Sequence, residues 1–266
     1  MNSASGMKWV YGCISCCGRA HEADVRVSPR PGAEIGEIES NMGGEVLALV
    51  ESIRKELQAV NAKILAHPYL QALQAGRIGR ERLRIFASQQ GYIIGSDLRS
   101  VAQMVARAGS ERSQAFFLEL LEGERAALKA LELFNAGVAA APGTPVSDDP
   151  LPGAFAYCAF VAWLSLYASE AEFAGALLIN LPVWGTNCGR MADALRSKYG
   201  LSEAEVSFFT LFSAAPTGFE ERAATVIAEG LAQGVATTKI RRAASMLQGY
   251  ELLFWDTMAQ ASMLTK

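Results

Sequence analysis

The recurrence of apolar residues every three to four positions most constrains the fold of this chain. From Gly43 onward these residues follow the helical period of about 3.6, and almost every break carries glycine or proline. No segment alternates apolar and polar residues as a half-buried strand does. With 266 residues, 51% of them hydrophobic, the chain can bury a core without disulfides or metals. The sequence therefore predicts an all-α bundle of about seven to nine helices.

The breaks in this pattern predict where the helices lie. The helical segments are residues 46–66, 80–108, 111–135, 153–169, 170–181, 184–198, 202–215, 220–233 and 238–263. Between the first two, the sequence HPYLQALQAGRIG predicts a bend, and Ser202 and Glu205 have the spacing of a capping box. Residues 1–42 lack the period, which predicts an irregular, disordered N-terminal extension. One helical domain is predicted over residues 43–266.

The charge of the chain excludes several classes of partner. It carries 24 Lys and Arg against 27 Asp and Glu, a formal net charge of -3, so it has no bulk attraction to nucleic acid or to an anionic membrane. Residues 151–168 contain 18 positions without a charge, which is the minimum for a membrane span. Acidic residues on both sides and the lack of a Lys/Arg cluster favour a buried core helix instead. We expect no nucleic-acid partner and no membrane partner.

The cysteines indicate a reducing compartment. The three cysteines of residues 13–17 lie near His21, but two of them are adjacent and no second ligand pair follows, which disfavours a zinc site. Cys158 and Cys188 lie in apolar stretches, where a reduced cysteine behaves as a small hydrophobe. The N-terminal residues contain no signal-peptide core. A cytoplasmic location without a metal or other cofactor is expected.

Several polar residues occupy positions that helical spacing assigns to the core. Gln90 and Asp97 interrupt the apolar face of one predicted helix and Glu124 interrupts the next, while Asn187 and Glu251 lie on apolar faces later in the chain. A buried carboxylate is costly unless it is paired, protonated or used in function. Structural pairing with an arginine is one interpretation for each carboxylate. Five such residues on four helices predict a polar small-molecule pocket between helices.

The sequence lacks the residues that several other kinds of catalytic or binding site require. The chain has only two histidines, His21 and His67, so it cannot supply the paired Glu-x-x-His motifs of a di-metal centre in a bundle. His67 precedes Pro68 at the end of a predicted helix, where a capping or core histidine is commoner than a haem ligand. The sequence has no phosphate-binding loop, nucleophile elbow or dinucleotide-binding fingerprint.

Two segments resemble the motifs of a known family. HPYLQALQAGRIGRERLRIFASQQGYI resembles the His-Pro-aromatic motif, glycine turn and Gln-rich second helix of the TenA family. GYELLFWDTMA resembles the Tyr-Glu-x-x-Phe-Trp closing helix of that family, and Leu181-Pro182 matches an LP motif between the two. The resemblance covers about residues 43–266. It implies the haem-oxygenase-like helical fold that TenA proteins share with PqqC-like relatives.

The resemblance also implies which residues form the site. Thiaminase II members of the family use a cysteine after the LP motif, a tyrosine four residues later, an aspartate on the second helix and the glutamate of the closing helix. The glutamate corresponds to Glu251. The other positions correspond to Val183, Asn187 and Gln90, and a further pocket tyrosine corresponds to Phe160 or to nearby Tyr157. Without a thiolate nucleophile, thiaminase II activity is not expected.

A subset of TenA-like proteins without the cysteine acts on formylated aminopyrimidines. This precedent implies a C–N hydrolase of thiamin salvage with Glu251 as acid/base, and the alternative is a non-catalytic ligand-binding or regulatory protein. The predicted ligand-binding residues are Gln90, Asp97, Glu124, Phe160, Val183, Trp184, Asn187 and Tyr250. Because relatives form symmetric oligomers, a homodimer or homotetramer is also implied, with Phe208, Phe209 and Phe212 as candidates for either the interface or the pocket wall.

Overall fold

The structure, a computed structural model, describes residues 31–139 and 149–263. These residues form ten helices and no strand, which confirms the predicted all-α class. The helices are α1 (Pro31–Glu56), α2 (Gln58–Leu65), α3 (Pro68–Gln74), α4 (Arg80–Arg107), α5 (Glu111–Gly137), α6 (Pro152–Tyr167), α7 (Glu170–Tyr199), α8 (Ser207–Ser213), α9 (Phe219–Ala232) and α10 (Thr237–Met263).

The N-terminal helices differ from the predicted bounds. Helix α1 begins at Pro31, inside the segment predicted to be irregular, and the helix predicted over 46–66 is divided between α1 and α2. Residues 1–30, with their cysteines and His21, lie outside the described residues. The predicted bend contains the short helix α3. There His67 acts as the N-cap, since its Nδ1 accepts a hydrogen bond from the Tyr69 N–H at 3.2 Å.

Helix α7 contains both of the helices that were predicted on either side of Pro182. Its N-terminus is closed by a capping box between Ser169 and Glu172, and the helix then continues through the proline to Tyr199. Proline removes one backbone hydrogen bond and usually ends a helix. Here α7 packs against α3, α8, α9 and α10, so tertiary contacts outweigh the local preference. The predicted break at Pro182 is therefore wrong.

The capping pair predicted at Ser202 and Glu205 forms, but the residues directly after Ser202 make a turn and not a helix. The N–H of Ser202 donates to Glu205 Oε2 at 2.7 Å, and the N–H of Glu205 donates to Ser202 Oγ at 3.4 Å. Helix α8 begins later, at Ser207, and has only 7 residues. The predicted helix over 202–215 is therefore much shorter in the structure.

Helix α6 buries only one of its sides. Ala154, Cys158 and Leu164 are buried, but Trp163 and Tyr167 on the other side are 44% and 72% exposed. The prediction of a buried core helix therefore holds for one side alone. Within the described part of the chain, no helix is both long and apolar enough to cross a membrane.

The core consists of two apolar clusters. One surrounds Phe86 and Trp255, and the other surrounds Phe117 and Phe173. Tyr157 of α6 packs against both clusters. The contacts among α4, α6, α7 and α10 bring the two clusters together, and the cavity described below lies at this junction.

Candidate functional site

A small cavity, here called the chamber, lies among α4, α6, α7 and α10 with contributions from α5 and α8. Its wall contains Gln90, Ile93, Ile94, Asp97, Glu124, Tyr157, Asn180, Leu181, Trp184, Phe212, Glu251 and Phe254. Apolar and aromatic side chains with a few polar groups are typical of a small-molecule site.

A second cavity, here called the cleft, adjoins the chamber. Five residues line both cavities, and they are Asp97, Glu124, Tyr157, Leu181 and Phe212. We call these five residues the shared wall. Beyond it the cleft extends over apolar side chains of α4, α5, α6 and α7, including Val101, Phe116, Leu120, Val161, Phe173 and Leu177.

Glu251 of α10 is the most enclosed carboxyl group of the chamber. It is 2% exposed, its Oε1 accepts a hydrogen bond from Trp255 Nε1 at 3.1 Å, and its Oε2 accepts one from Asn180 Nδ2 at 2.5 Å. Burial raises the pKa of Glu251 to about 7, and it outweighs the two hydrogen bonds, which lower the pKa. A carboxyl group with this pKa can take up or release a proton at neutral pH.

Asn180 of α7 is held in one orientation by three partners. Its Nδ2 donates to Gln248 Oε1 at 2.6 Å as well as to Glu251, and its Oδ1 accepts a hydrogen bond from the Tyr157 hydroxyl at 2.9 Å. Both Asn180 and Trp255 therefore act as donors toward Glu251. A proton on Glu251 finds no acceptor in this network, so it is available to a molecule in the chamber.

Two more carboxyl groups, Asp97 of α4 and Glu124 of α5, belong to the shared wall. Asp97 is 7% exposed, and its Oδ1 has no hydrogen-bond partner among the described residues. Burial raises the pKa of Asp97 well above its ordinary value, with a further rise from the charge of Glu124. Burial also raises the pKa of Glu124, to about 7.

None of these three carboxyl groups forms an ion pair with a residue that the structure describes. The interpretation that arginines neutralise them is therefore wrong. Gln90, also on the chamber wall, is 4% exposed and makes no hydrogen bond to another described residue. The chamber thus holds polar groups for which the described part of the chain provides no hydrogen-bond partner.

The comparisons with known proteins identify the family. The model of the TENA/THI-4/PQQC family matches residues 54–261. This chain belongs to that family. A comparison with curated proteins gives no match.

Solved structures confirm the fold of this TenA-family chain. A TenA homologue from Pyrococcus furiosus is 19% identical, with a TM-score of 0.62 over 79% of this chain and 99% of that chain. A candidate TenA-like thiaminase from Sulfolobus solfataricus is 15% identical, with a TM-score of 0.59 over 82% of this chain and 98% of that one. A domain with a haem oxygenase-like fold from Shewanella denitrificans is 14% identical, with a TM-score of 0.55 over 88% and 93% of the two chains. The predicted haem-oxygenase-like bundle is therefore confirmed.

The structure brings five of the predicted site residues together on the chamber wall, namely Gln90, Asp97, Glu124, Trp184 and Glu251. Phe160, Val183, Asn187 and Tyr250 are not part of that wall. The ligand-binding and catalytic roles of the first five stay predictions. The roles of the other four also stay predictions, and the structure places these residues outside that wall.

Asn187 lies further along α7 than Asn180 and is not part of the chamber wall. It is seven residues after Asn180, so it shares the same face but lies about 10 Å further along the axis. Its Nδ2 donates to the carbonyl oxygen of Ile64 at 3.4 Å, and the side chain is fully buried. Asn187 therefore joins α7 to the end of α2.

Val183, Phe160 and Tyr250 do not line the chamber. Val183 packs in the cluster around Trp255. Phe160 and Tyr250 contact each other with ring centroids 5.2 Å apart, and Phe160 also stacks on Trp163.

Sequence analysis missed Asn180 and left Tyr157 open as an alternative to Phe160. The structure places Tyr157 on the chamber wall. Asn180 carried a usable signal, because it is the single polar side chain within the apolar run FAGALLINLPVW. A polar residue in such a run requires a buried partner, and here it has three.

Neither described cysteine presents a thiolate to the chamber. Burial raises the pKa of Cys188 well above its ordinary value and that of Cys158 to about 11, and neither residue belongs to the chamber wall. Phe208 and Phe209 are fully buried in the core, whereas Phe212 belongs to the shared wall. Among the residues described, no group of three or more metal-binding side chains occurs.

Proposed function

We propose that this TenA-family protein hydrolyses a C–N bond of an aminopyrimidine or a related amine, as a step of thiamin salvage, with Glu251 as general acid and base. The observation that carries this proposal is a buried carboxyl group with a pKa of about 7 on the wall of a small-molecule chamber. Such a pKa lets one group accept and return a proton during a single turnover at neutral pH. Neither of the two described cysteines lies on the chamber wall, which favours hydrolysis by water over covalent catalysis.

The reaction can be written for an N-formyl amine without further reactants. The Glu251 carboxylate takes a proton from a water molecule as the water oxygen adds to the formyl carbon. The C–N bond then breaks, and Glu251 returns the proton to the leaving nitrogen, which gives formic acid and the free amine. Asn180 and Trp255 hold the carboxyl group, and the free amide of Gln90 can bind a ring nitrogen or an amino group.

The variant Glu251→Gln tests this proposal. It retains the size of the side chain but cannot transfer a proton, so we expect kcat for a formylaminopyrimidine to fall about 10²- to 10⁴-fold. Binding of the product amine, measured by calorimetry, should change much less. Glu132→Gln on the exposed side of α5 is the matched control and should retain full activity. Unchanged turnover in Glu251→Gln would exclude Glu251 as the acid/base.

A non-catalytic ligand-binding or regulatory role is the alternative. The replacement of the family's reactive positions by Val183 and Asn187 favours it. Native mass spectrometry of the purified protein, followed by denaturation, would identify a molecule held in the chamber. A bound pyrimidine that the wild-type protein does not convert over many hours would support this alternative over the hydrolase.

A further inference from the structure

We propose that the shared wall binds the positively charged nitrogen of an organic ammonium ion whose apolar part lies in the cleft. The five residues of this wall are two carboxyl groups, two aromatic rings and one leucine. Carboxylates and aromatic faces are the two kinds of group that attract organic cations. Glu251 does not belong to the shared wall, so the proposal does not depend on the chemistry proposed for that residue.

The two carboxyl groups have no ion-pair partner among the described residues. Asp97 is more than nine-tenths buried, with an Oδ1 that makes no hydrogen bond, and neither Asp97 nor Glu124 has an ion pair in the part of the chain that the structure describes. A buried carboxyl group without a partner destabilises the fold. A ligand cation between the two would supply the missing partner, because it would be attracted to both carboxylates.

The remaining residues of the wall favour an organic cation over a metal ion. Tyr157 and Phe212 line both cavities, so their rings border the space beside the carboxyl groups. An ammonium group gains cation–π attraction from such rings, whereas a divalent metal requires several oxygen ligands. The described residues contain no group of three metal-binding side chains.

The cleft indicates what else the ligand carries. Its walls beyond the shared wall are largely aliphatic and aromatic, with Val101, Phe116, Leu120 and Phe173 among them. Burial of an apolar substituent against these side chains would add affinity through the hydrophobic effect. The ligand class is therefore an amine with an apolar substituent several carbon atoms long.

A matched pair of probes tests the inference. 4-Phenylbutylamine is cationic at neutral pH, and 4-phenyl-1-butanol is a neutral molecule of nearly the same shape. Calorimetric titration of the wild-type protein should show the amine binding at least about 10-fold more tightly than the alcohol. In the double variant Asp97→Asn, Glu124→Gln this preference should disappear. Glu132→Gln, at an exposed residue of α5 that lines neither cavity, is the control and should retain the preference.

The exchange of protons provides a second readout. The raised pKa values of Asp97 and Glu124 mean that the empty pair holds protons near pH 7, and a bound cation favours their release. Amine affinity should therefore increase as the pH rises through about 7, with protons released to the buffer, whereas alcohol binding should release none. The other titratable or charged groups that face the pair are Glu119, Glu122, Tyr157, Cys158, Arg222 and Glu251.

Titration of the wild-type protein and of the double variant can give three results that would overturn the inference. These are equal affinity for amine and alcohol, a preference for the amine that persists in the double variant, and amine binding without proton release. Glu251→Gln separates this inference from the proposed function. If Glu251→Gln loses turnover but keeps the preference for the amine, the result supports both the proposed function and this inference. If Glu251→Gln alone removes the preference, the cation lies at Glu251 and not at the shared wall.

Discussion

At the scale of single residues, the carboxyl groups of Asp97, Glu124 and Glu251 lie around one cavity. Each has a raised pKa, and the leading cause in each case is burial. For Glu251 two hydrogen bonds oppose burial without cancelling it. The folded protein consequently holds protons on these groups under conditions in which an unfolded chain would release them.

Glu124→Gln should stabilise the protein at pH 8 by about 1–3 kcal/mol and change its stability little at pH 5. In the folded protein Glu124 retains its proton up to about pH 7, but in the unfolded chain it releases the proton near its ordinary value of 4.5. The wild-type protein therefore loses stability as the pH rises between these values, and glutamine removes this loss. Urea unfolding at both pH values measures the effect.

Glu132→Gln, at an exposed position of α5, is the control for this experiment and should change the free energy of unfolding by less than about 0.5 kcal/mol at either pH. An equal effect of Glu124→Gln at pH 5 and pH 8 would show that the substitution acts through packing instead of through ionisation.

At the scale of the elements, the close approach of α7 and α8 forms one side of the chamber. Gly185 of α7 is buried, and a Cβ atom added there would lie 2.4 Å from the carbonyl oxygen of Phe212. The absence of a side chain at Gly185 therefore lets the α8 backbone lie directly on α7. This contact positions Phe212, whose ring belongs to the shared wall.

Gly185→Ala should destabilise the protein by about 1–3 kcal/mol, because the backbone of α8 must move to accommodate the methyl group. Gly249→Ala on α10 is the matched control, since an added Cβ there would have no atom within 4 Å. The control should stabilise the protein by about 0.5–1 kcal/mol through helix propensity. Urea unfolding of both variants tests the prediction, and a stabilised Gly185→Ala would contradict the α7–α8 contact.

At the scale of the whole molecule, the two core clusters cover most apolar residues but leave one side of α6 uncovered. Phe155, Trp163, Leu166 and Tyr167 on this side are between 41% and 72% exposed. Exposed aromatic residues in a contiguous patch are typical of protein–protein contacts. This patch is where we propose that the homodimer or homotetramer implied by the family resemblance forms, in place of the buried Phe208 and Phe209.

Trp163→Glu should lower the oligomeric state, because a carboxylate within an apolar interface would lose its hydration without gaining a partner. Size-exclusion chromatography with light scattering at several protein concentrations measures this change. Leu118→Glu on α5, at an exposed leucine outside the α6 patch, is the control and should leave the molar mass unchanged. If wild-type protein is a monomer at all concentrations, the proposed interface does not exist.

The period of the apolar residues was sufficient to predict the helical class and the inward direction of Gln90, Asp97, Glu124 and Glu251. Both properties depend on neighbours within one or two helical turns, which are local in sequence. The same locality explains why His67 could be predicted as a capping or core residue.

Only the tertiary structure determined which inward-facing residues lie at the level of the cavity along their helices. Asn180 and Asn187 share a face of α7, yet only Asn180 lies on the chamber wall. Continuation of α7 through Pro182 and the exposure of one side of α6 likewise depend on which helices pack against them. Sequence periodicity determines on which face of its helix a residue lies. The position of the cavity depends on where helices that are distant in sequence cross, and only the packing of these helices determines that crossing point.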